Sequence, residues 1–182
     1  MKKRLFGFAL LILVFAIKMQ GQLLSVKTNL LNWGLCAPNL SLELVTGERH
    51  SFVVSGSYMS KLYQKSLRGW MLMPEYRFWL SGRPMVRTYL GVAAFGGNYN
   101  DQSALIQKGK NQEGSYAGVA ATGGYSFYLG KRWNLELTAG VGVAMTHRRV
   151  YTSGEPKPES FEPLNFSVIP VNLGVTLGYI IK

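Results

Sequence analysis

Residues 171–181 read Val-Asn-Leu-Gly-Val-Thr-Leu-Gly-Tyr-Ile-Ile, so that Val171, Leu173, Val175, Leu177, Tyr179 and Ile181 alternate with Asn172, Gly174, Thr176 and Gly178. A period of two belongs to a strand, whose successive side chains fall on opposite faces. One face here is wholly apolar and the other is small and polar. That combination suits a wall with hydrocarbon outside and a narrow, wet interior.

The same pattern recurs along the chain. Eight windows alternate and none of useful length carries a helical apolar stripe. The strands predicted from them are 24–33, 39–46, 51–59, 67–80, 85–98, 115–129, 133–147 and 164–181. Connections at 47–50, 81–84 and 130–132 are short and rich in Gly and charge, the composition of tight turns. Those at 60–66, 99–114 and 148–163 are longer and polar, the last with Pro156, Pro158 and Pro163. Alternating short turns and long loops are the asymmetry of outer-membrane barrels. The expected fold is therefore all-β, an eight-stranded antiparallel up-and-down transmembrane β-barrel of the small outer-membrane type, with both termini in the periplasm.

The N-terminus agrees with an exported protein. Lys2, Lys3 and Arg4 precede an apolar run of 13 residues, Leu5 to Ile17, and Gly21 offers a small residue for cleavage, the layout of a secretory signal peptide. The run is too short to cross a bilayer as a helix, which takes roughly 20 apolar residues. The expected division is thus a signal at 1–21 and a barrel domain at 22–182. About 20 residues are then available for each strand and connection, against about 9–11 for a tilted spanning strand. Losing Lys2, Lys3, Arg4 and Lys18 brings the net charge from +11 to +7. The remaining Lys and Arg sit in turns and loops and form no basic face, which argues against nucleic acid as a partner.

Face assignment tests the barrel, because each strand must keep its parity across the wall. Strand two sets Leu40, Leu42 and Leu44 against Asn39, Ser41 and Glu43. Strand seven sets Trp133, Leu135, Leu137, Ala139, Val141, Val143 and Met145 against Asn134, Glu136, Thr138, Gly140 and Gly142. Strand four sets Trp70, Leu72, Tyr76 and Phe78 against Met71, Met73, Glu75 and Arg77. Strand five sets Val86, Thr88, Leu90 and Val92 against Arg87, Tyr89, Gly91 and Phe95. Pro74, inside strand four, requires a bulge or a place where its missing N–H does no harm. The inward faces carry Lys27, Glu43, Glu75, Arg77, Arg87 and Glu136, and a lone charge in so narrow a space is costly, so these six are expected to pair as an interior plug. A selective pore through the same groups is the competing reading.

A soluble eight-stranded barrel would also alternate, but with its apolar face inward and charges outward. Charged residues make up 16% of this chain, below the roughly 25% of soluble domains. Trp33, Tyr58, Trp70, Trp79, Tyr125, Phe127, Trp133 and Tyr179 stand toward strand ends, where interfacial aromatic girdles lie.

Two resemblances sharpen the expectation. Asn172, Gly174, Leu177 and Tyr179, in the order polar, any, Gly, any, any, hydrophobic, any, hydrophobic, resemble the C-terminal signal read by the barrel-insertion machinery. In addition, Val26-Lys27-Thr28-Asn29-Leu30-Leu31-Asn32-Trp33, Ala37-Pro38-Asn39-Leu40-Ser41-Leu42-Glu43, Trp70-Met71-Leu72-Met73-Pro74-Glu75-Tyr76-Arg77-Phe78-Trp79 and Gly-Gly-Asn-Tyr at 96–99 resemble a family of small outer-membrane barrels of the Bacteroidota catalogued as a domain of unknown function. The likeness implies fold and location and brings no activity or catalytic residues.

Chemistry-bearing groups are sparse. His147, at the outer end of strand seven, is the one candidate for a rim enzyme acting on lipid acyl groups, but Arg149 stands where a serine two residues on would share its face. Two histidines and the single Cys36 argue against a zinc site. Gly-x-Gly at 140–142 lies in a strand with no helix after it, so it reads as barrel packing and not as a phosphate loop. No catalytic residue, metal or cofactor is expected. The expected function is non-enzymatic, envelope-structural or surface-interacting, with loops 99–114 and 148–163 facing lipopolysaccharide or a protein partner. A rim enzyme using His147 and a small-solute pore are the alternatives.

Overall fold

A computed structural model describes residues 23–59, 67–102, 110–152, 157–158 and 160–181. The expected signal at 1–21, the connection at 60–66 and parts of loops 99–114 and 148–163 lie outside the described residues, as do Lys61, Lys65 and Lys108.

Eight antiparallel strands close a ring in sequence order: β1 (Leu24–Asn29), β2 (Asn39–Val45), β3 (His50–Met59), β4 (Leu67–Trp79), β5 (Arg87–Asp101), β6 (Lys110–Tyr128), β7 (Trp133–Thr152) and β8 (Asn165–Ile180). Closure is made by β1 on β8, with Ser25 opposite Ile180 and Asn29 opposite Thr176. Every strand thus has a hydrogen-bonded neighbour on each side. The expected all-β, eight-stranded antiparallel barrel is what the chain forms.

Alternation becomes inside and outside as the sequence implies. On β7, Leu137, Val141, Val143 and Met145 are exposed on the outer wall, while Asn134, Glu136, Thr138 and Ala144 are buried within. On β4, Trp70, Leu72, Tyr76 and Phe78 point out and Met73, Glu75 and Arg77 point in. Pro74 needs no bulge. It pairs with Val54 of β3, and on its other side the β4–β5 register lapses over Met73 and Pro74 and resumes unchanged at Glu75 opposite Ala93.

The structure corrects the expectation at five places. The first strand ends at Asn29, not at residue 33, because the Asn29 carboxamide accepts from Leu31 N–H and caps a short helix, α1 (Leu30–Gly34). β5, β6 and β7 run further than their apolar alternation. Residues 99–101, 110–114 and 148–152, expected in loops, are strand. Arg87 is exposed and joins no interior pair. Met85 and Arg87 both have positive φ (63° and 64°), which turns the chain so that Met85 takes the inward place, with its carbonyl held by Ser126 Oγ at 2.9 Å. Val171 faces inward although Leu173 faces out. Asn172 sits at φ 53°, and β8 spends one extra residue between the pairs Thr138–Gly174 and Gly140–Val171, a β-bulge that inverts parity upstream. Trp79, placed in the outer girdle by position, is fully buried inside and donates from Nε1 to Ser51 Oγ at 2.8 Å.

Candidate functional site

The interior is filled in layers. At the short-turn end Trp79, Met85 and Tyr89 pack with Val45 and Ile180. On the long-loop side Met73, Ala93, Phe95, Ala120, Ala144 and Val171 form a second apolar layer, with Tyr116 and Ile169 against it. Between them lie five charges, one each from β1, β2 and β7 and two from β4.

Lys27 Nζ is paired with both Glu43 and Glu136. Arg77 reaches Glu75 at 2.9 Å, Glu136 at 3.0 Å and Glu43 at 3.5 Å. Every one of these side chains is at most 4% exposed. Two cations thus serve three carboxylates, and neutral donors supply the rest: Ser51 Oγ to Glu43, Thr122 Oγ1 to Glu75, and Asn134 Nδ2 to Glu136 at 3.1 Å. The Arg77 guanidinium also lies 4.2 Å over the Tyr89 ring, a cation–π contact. Of the six residues expected to meet here, Lys27, Glu43, Glu75, Arg77 and Glu136 do, and Arg87 does not.

Glycine makes the room. A Cβ added at Gly91 would fall against Thr122 Oγ1 and the Glu75 carboxylate, and one at Gly178 would strike Asn134 Oδ1 and lie 3.2 Å from Lys27 Cγ. The polar face of the closing strand is small because the Lys27 stem and the Asn134 amide pass over it. On the loop side, a cavity of about 110 Å³ lined by Asn29, Asn39, Ser41, Ser55, Thr176 and the two cations reaches the cluster. It has room for a few waters, at about 30 Å³ each, and the Trp79–Met85–Tyr89 layer closes the other end.

The loop end holds the other group of chemical interest. His147 is exposed on the outer wall, its ring stacked on Phe161 at 4.3 Å. Its cross-strand neighbour is Ser115, also exposed, so a serine shares its face after all. That serine comes from β6, and only the β6–β7 register reveals it. Arg148 and Arg149, expected in a free loop, are occupied: Arg148 pairs with Glu162 at 2.9 Å, and Arg149 lies 3.9 Å over Phe161 and 3.8 Å from Glu113. Glu162 N–H donates to the Arg148 carbonyl at 2.8 Å, strapping this segment to β7. Lys157 donates to Glu113 at 2.6 Å, and that hydrogen bond holds its ammonium above the ordinary lysine value.

His50 begins β3 at the opposite end, where its Nδ1 is 2.7 Å from the Tyr76 hydroxyl. Among the described residues no group of three or more His, Cys, Asp or Glu is placed to hold a metal ion. Asn172, Gly174, Leu177 and Tyr179 all lie on β8. Tyr179 packs edge-on to Trp133 at 4.9 Å, and its hydroxyl accepts from Arg132 at 3.1 Å.

No curated protein and no solved structure matches this chain. Residues 7–181 match the family model described as "Protein of unknown function (DUF3575)", and the chain belongs to that family.

Proposed function

We propose that this chain is a closed, non-enzymatic barrel of an outer membrane, exported by a signal at 1–21, with both termini on the periplasmic side and an envelope-structural or surface-interaction role at its loop end. One observation carries the reading: the molecule is inside out. Leu40, Leu42, Phe52, Leu72, Leu90, Val92, Val119, Val141 and Val168 are between 41% and 72% exposed around the wall, while Lys27, Glu43, Glu75, Arg77 and Glu136 are buried within it. An apolar belt of that extent is far more than a soluble monomer exposes, and it is what hydrocarbon requires of a barrel wall.

The protein should fractionate with the outer membrane and, in detergent, migrate faster on an unboiled gel than on a boiled one, because every wall strand is paired on both sides and resists detergent until heated. Recovery as a monodisperse soluble protein without detergent would refute the assignment. The filled interior favours a plug over a pore, since eight strands leave a lumen that side chains just fill. Planar-bilayer recordings of the wild type should therefore show no unitary conductance steps, and steady steps would restore the pore reading.

A second reading at the same rim, lipid-acyl chemistry, gains one support, Ser115 opposite His147. It loses ground because the imidazole is stacked on Phe161. A lipid-acyl assay should give no product with the wild type. Product formation that His147→Ala abolishes would make this protein an enzyme.

A further inference from the structure

Successive rows of outward-facing residues cross β4, β5, β6 and β7 near the loop end, and they grade from charged to apolar. The outermost is Arg68, Asn100, Glu113 and Arg149, each opposite the next. The next is Trp70, Asn98, Ser115 and His147, and the third is Leu72, Gly96, Ala117 and Met145. The β4, β5 and β6 members of the first two rows border a groove of about 510 Å³, with Tyr58, Trp70 and Phe161 as its aromatic walls and Arg68, Asn98 and Glu113 among its polar groups. Below the third row the wall is hollow again. Val92, Ala94, Val119, Ala121, Val141 and Val143 border a shallow apolar depression of about 710 Å³.

Between the two hollows Gly96 has no side chain and Ala117 only a methyl, so no more than a low step divides them. The charge at the top is complementary to an anion. Arg68 is exposed and makes no ion pair among the described residues, and Glu113, the groove's carboxylate, is already engaged by Lys157, Arg149 and the Asn100 amide. The facing rim is different: residues 28–42 contain no charge and expose Leu30, Leu31, Trp33 and Leu35.

We infer that the outer wall of β4–β7 is a seat for one phosphate-bearing amphiphile of the surrounding leaflet. Its headgroup is held by Arg68 and the Asn98 amide, and an acyl chain lies over Gly96 and Ala117 into the Ala94–Ala121 depression. A guanidinium matches phosphate oxygens in a bidentate manner. Basic sites against a membrane wall select anionic lipid headgroups in this way. The inference rests on the membrane reading above and gives its loop-end interaction a chemical class.

The test is titration of the purified full chain in non-ionic detergent with dilauroyl phosphatidic acid, and separately with dilauroyl phosphatidylcholine and with inorganic phosphate. Saturable binding of one phosphatidic acid per barrel is expected, weaker for phosphatidylcholine and weaker by about tenfold in Arg68→Gln. Ala117→Trp, which fills the passage between the hollows, should abolish it, and Lys131→Ala, at the far end, should leave it unchanged. The heat-dependent gel shift of each variant reports an intact barrel. Inorganic phosphate binding as tightly as the lipid would overturn the acyl seat. Non-saturating uptake indifferent to Arg68→Gln and Ala117→Trp would reduce the wall to ordinary bilayer contact and overturn the site. A wild type that shows no gel shift and stays soluble without detergent would fault the membrane reading itself, and the seat would fall with it.

Discussion

Arg77→Met is expected to lower the temperature at which the barrel loses its gel shift far more than Arg87→Met does. Arg77 is the hub of the interior cluster, bonded to Glu75, Glu136 and Glu43 at 2.9, 3.0 and 3.5 Å. Without it, Lys27 alone is left to three carboxylates, in a buried space that a small loop-side cavity reaches. Removing one partner of a buried pair costs roughly 3–5 kcal/mol, because the charge left behind has lost its solvent as well as its partner. Arg87 is exposed and takes no part, so its loss should be close to neutral. The pairing itself can be isolated: Arg77→Met combined with Glu136→Gln should be less damaging than the sum of the two single changes, since the double variant removes both halves of one bridge. Equal midpoints for Arg77→Met and Arg87→Met would show that the cluster contributes nothing to holding the barrel closed.

The cluster also bears on register. β1, β2, β4 and β7 each place a charge on the inner face, and a slip of one residue in any of them would turn that charge outward into the apolar belt. Well-packed apolar residues could fill the same space with similar stability. They would penalise such a slip far less.

Strand number, ring order and most of the inward charges were legible because each follows from a period of two, and a wall with unlike sides enforces that period on every residue crossing it. What escaped lies where the period breaks or where it stops being apolar. Asn172, Met85 and Arg87 have left-handed backbones, a conformation that asparagine tolerates but that Met and Arg adopt under tertiary constraint. Nothing in the letters around Val171 or Arg87 announces the inversion. β6 and β7 continue past the belt as a polar ribbon, with Glu113 opposite Arg149 and Asn111 opposite Tyr151. There no apolar face is needed, and hydrophobic alternation gives no signal. Asn29 at the end of β1, two residues before the N–H that it caps, is a visible sign of α1, and the strand pattern that is correct for residues 26–29 does not extend to 30–33. The Ser115–His147 juxtaposition needed register, which a single strand cannot supply.

Replacing Leu177 and Tyr179 together by Asp should largely abolish accumulation in the outer membrane, whereas Thr176→Ser should leave it unchanged. Leu177 lies between Leu135 of β7 and Thr28 of β1, and Tyr179 between Trp133 and Val26, so both sit at the seam where the last strand closes the ring. A carboxylate at Tyr179 would lose the ring packing on Trp133 and the hydroxyl contact with Arg132. One at Leu177 would stand in the apolar belt, where a charged substitution costs up to about 2–4 kcal/mol for Lys or Arg and less for Asp. The stability terms alone would leave a weakened barrel that still inserts. The resemblance of Asn172, Gly174, Leu177 and Tyr179 to an insertion signal predicts a further, kinetic penalty, the loss of recognition by the insertion machinery. The two contributions separate when the purified variant is refolded into detergent without the machinery. There the double Asp variant should form a heat-modifiable barrel with a lowered midpoint, although it is missing from membranes in cells. If it accumulates in cells at the wild-type level, the outward parity of β8 beyond its bulge and the signal role of these residues are both wrong.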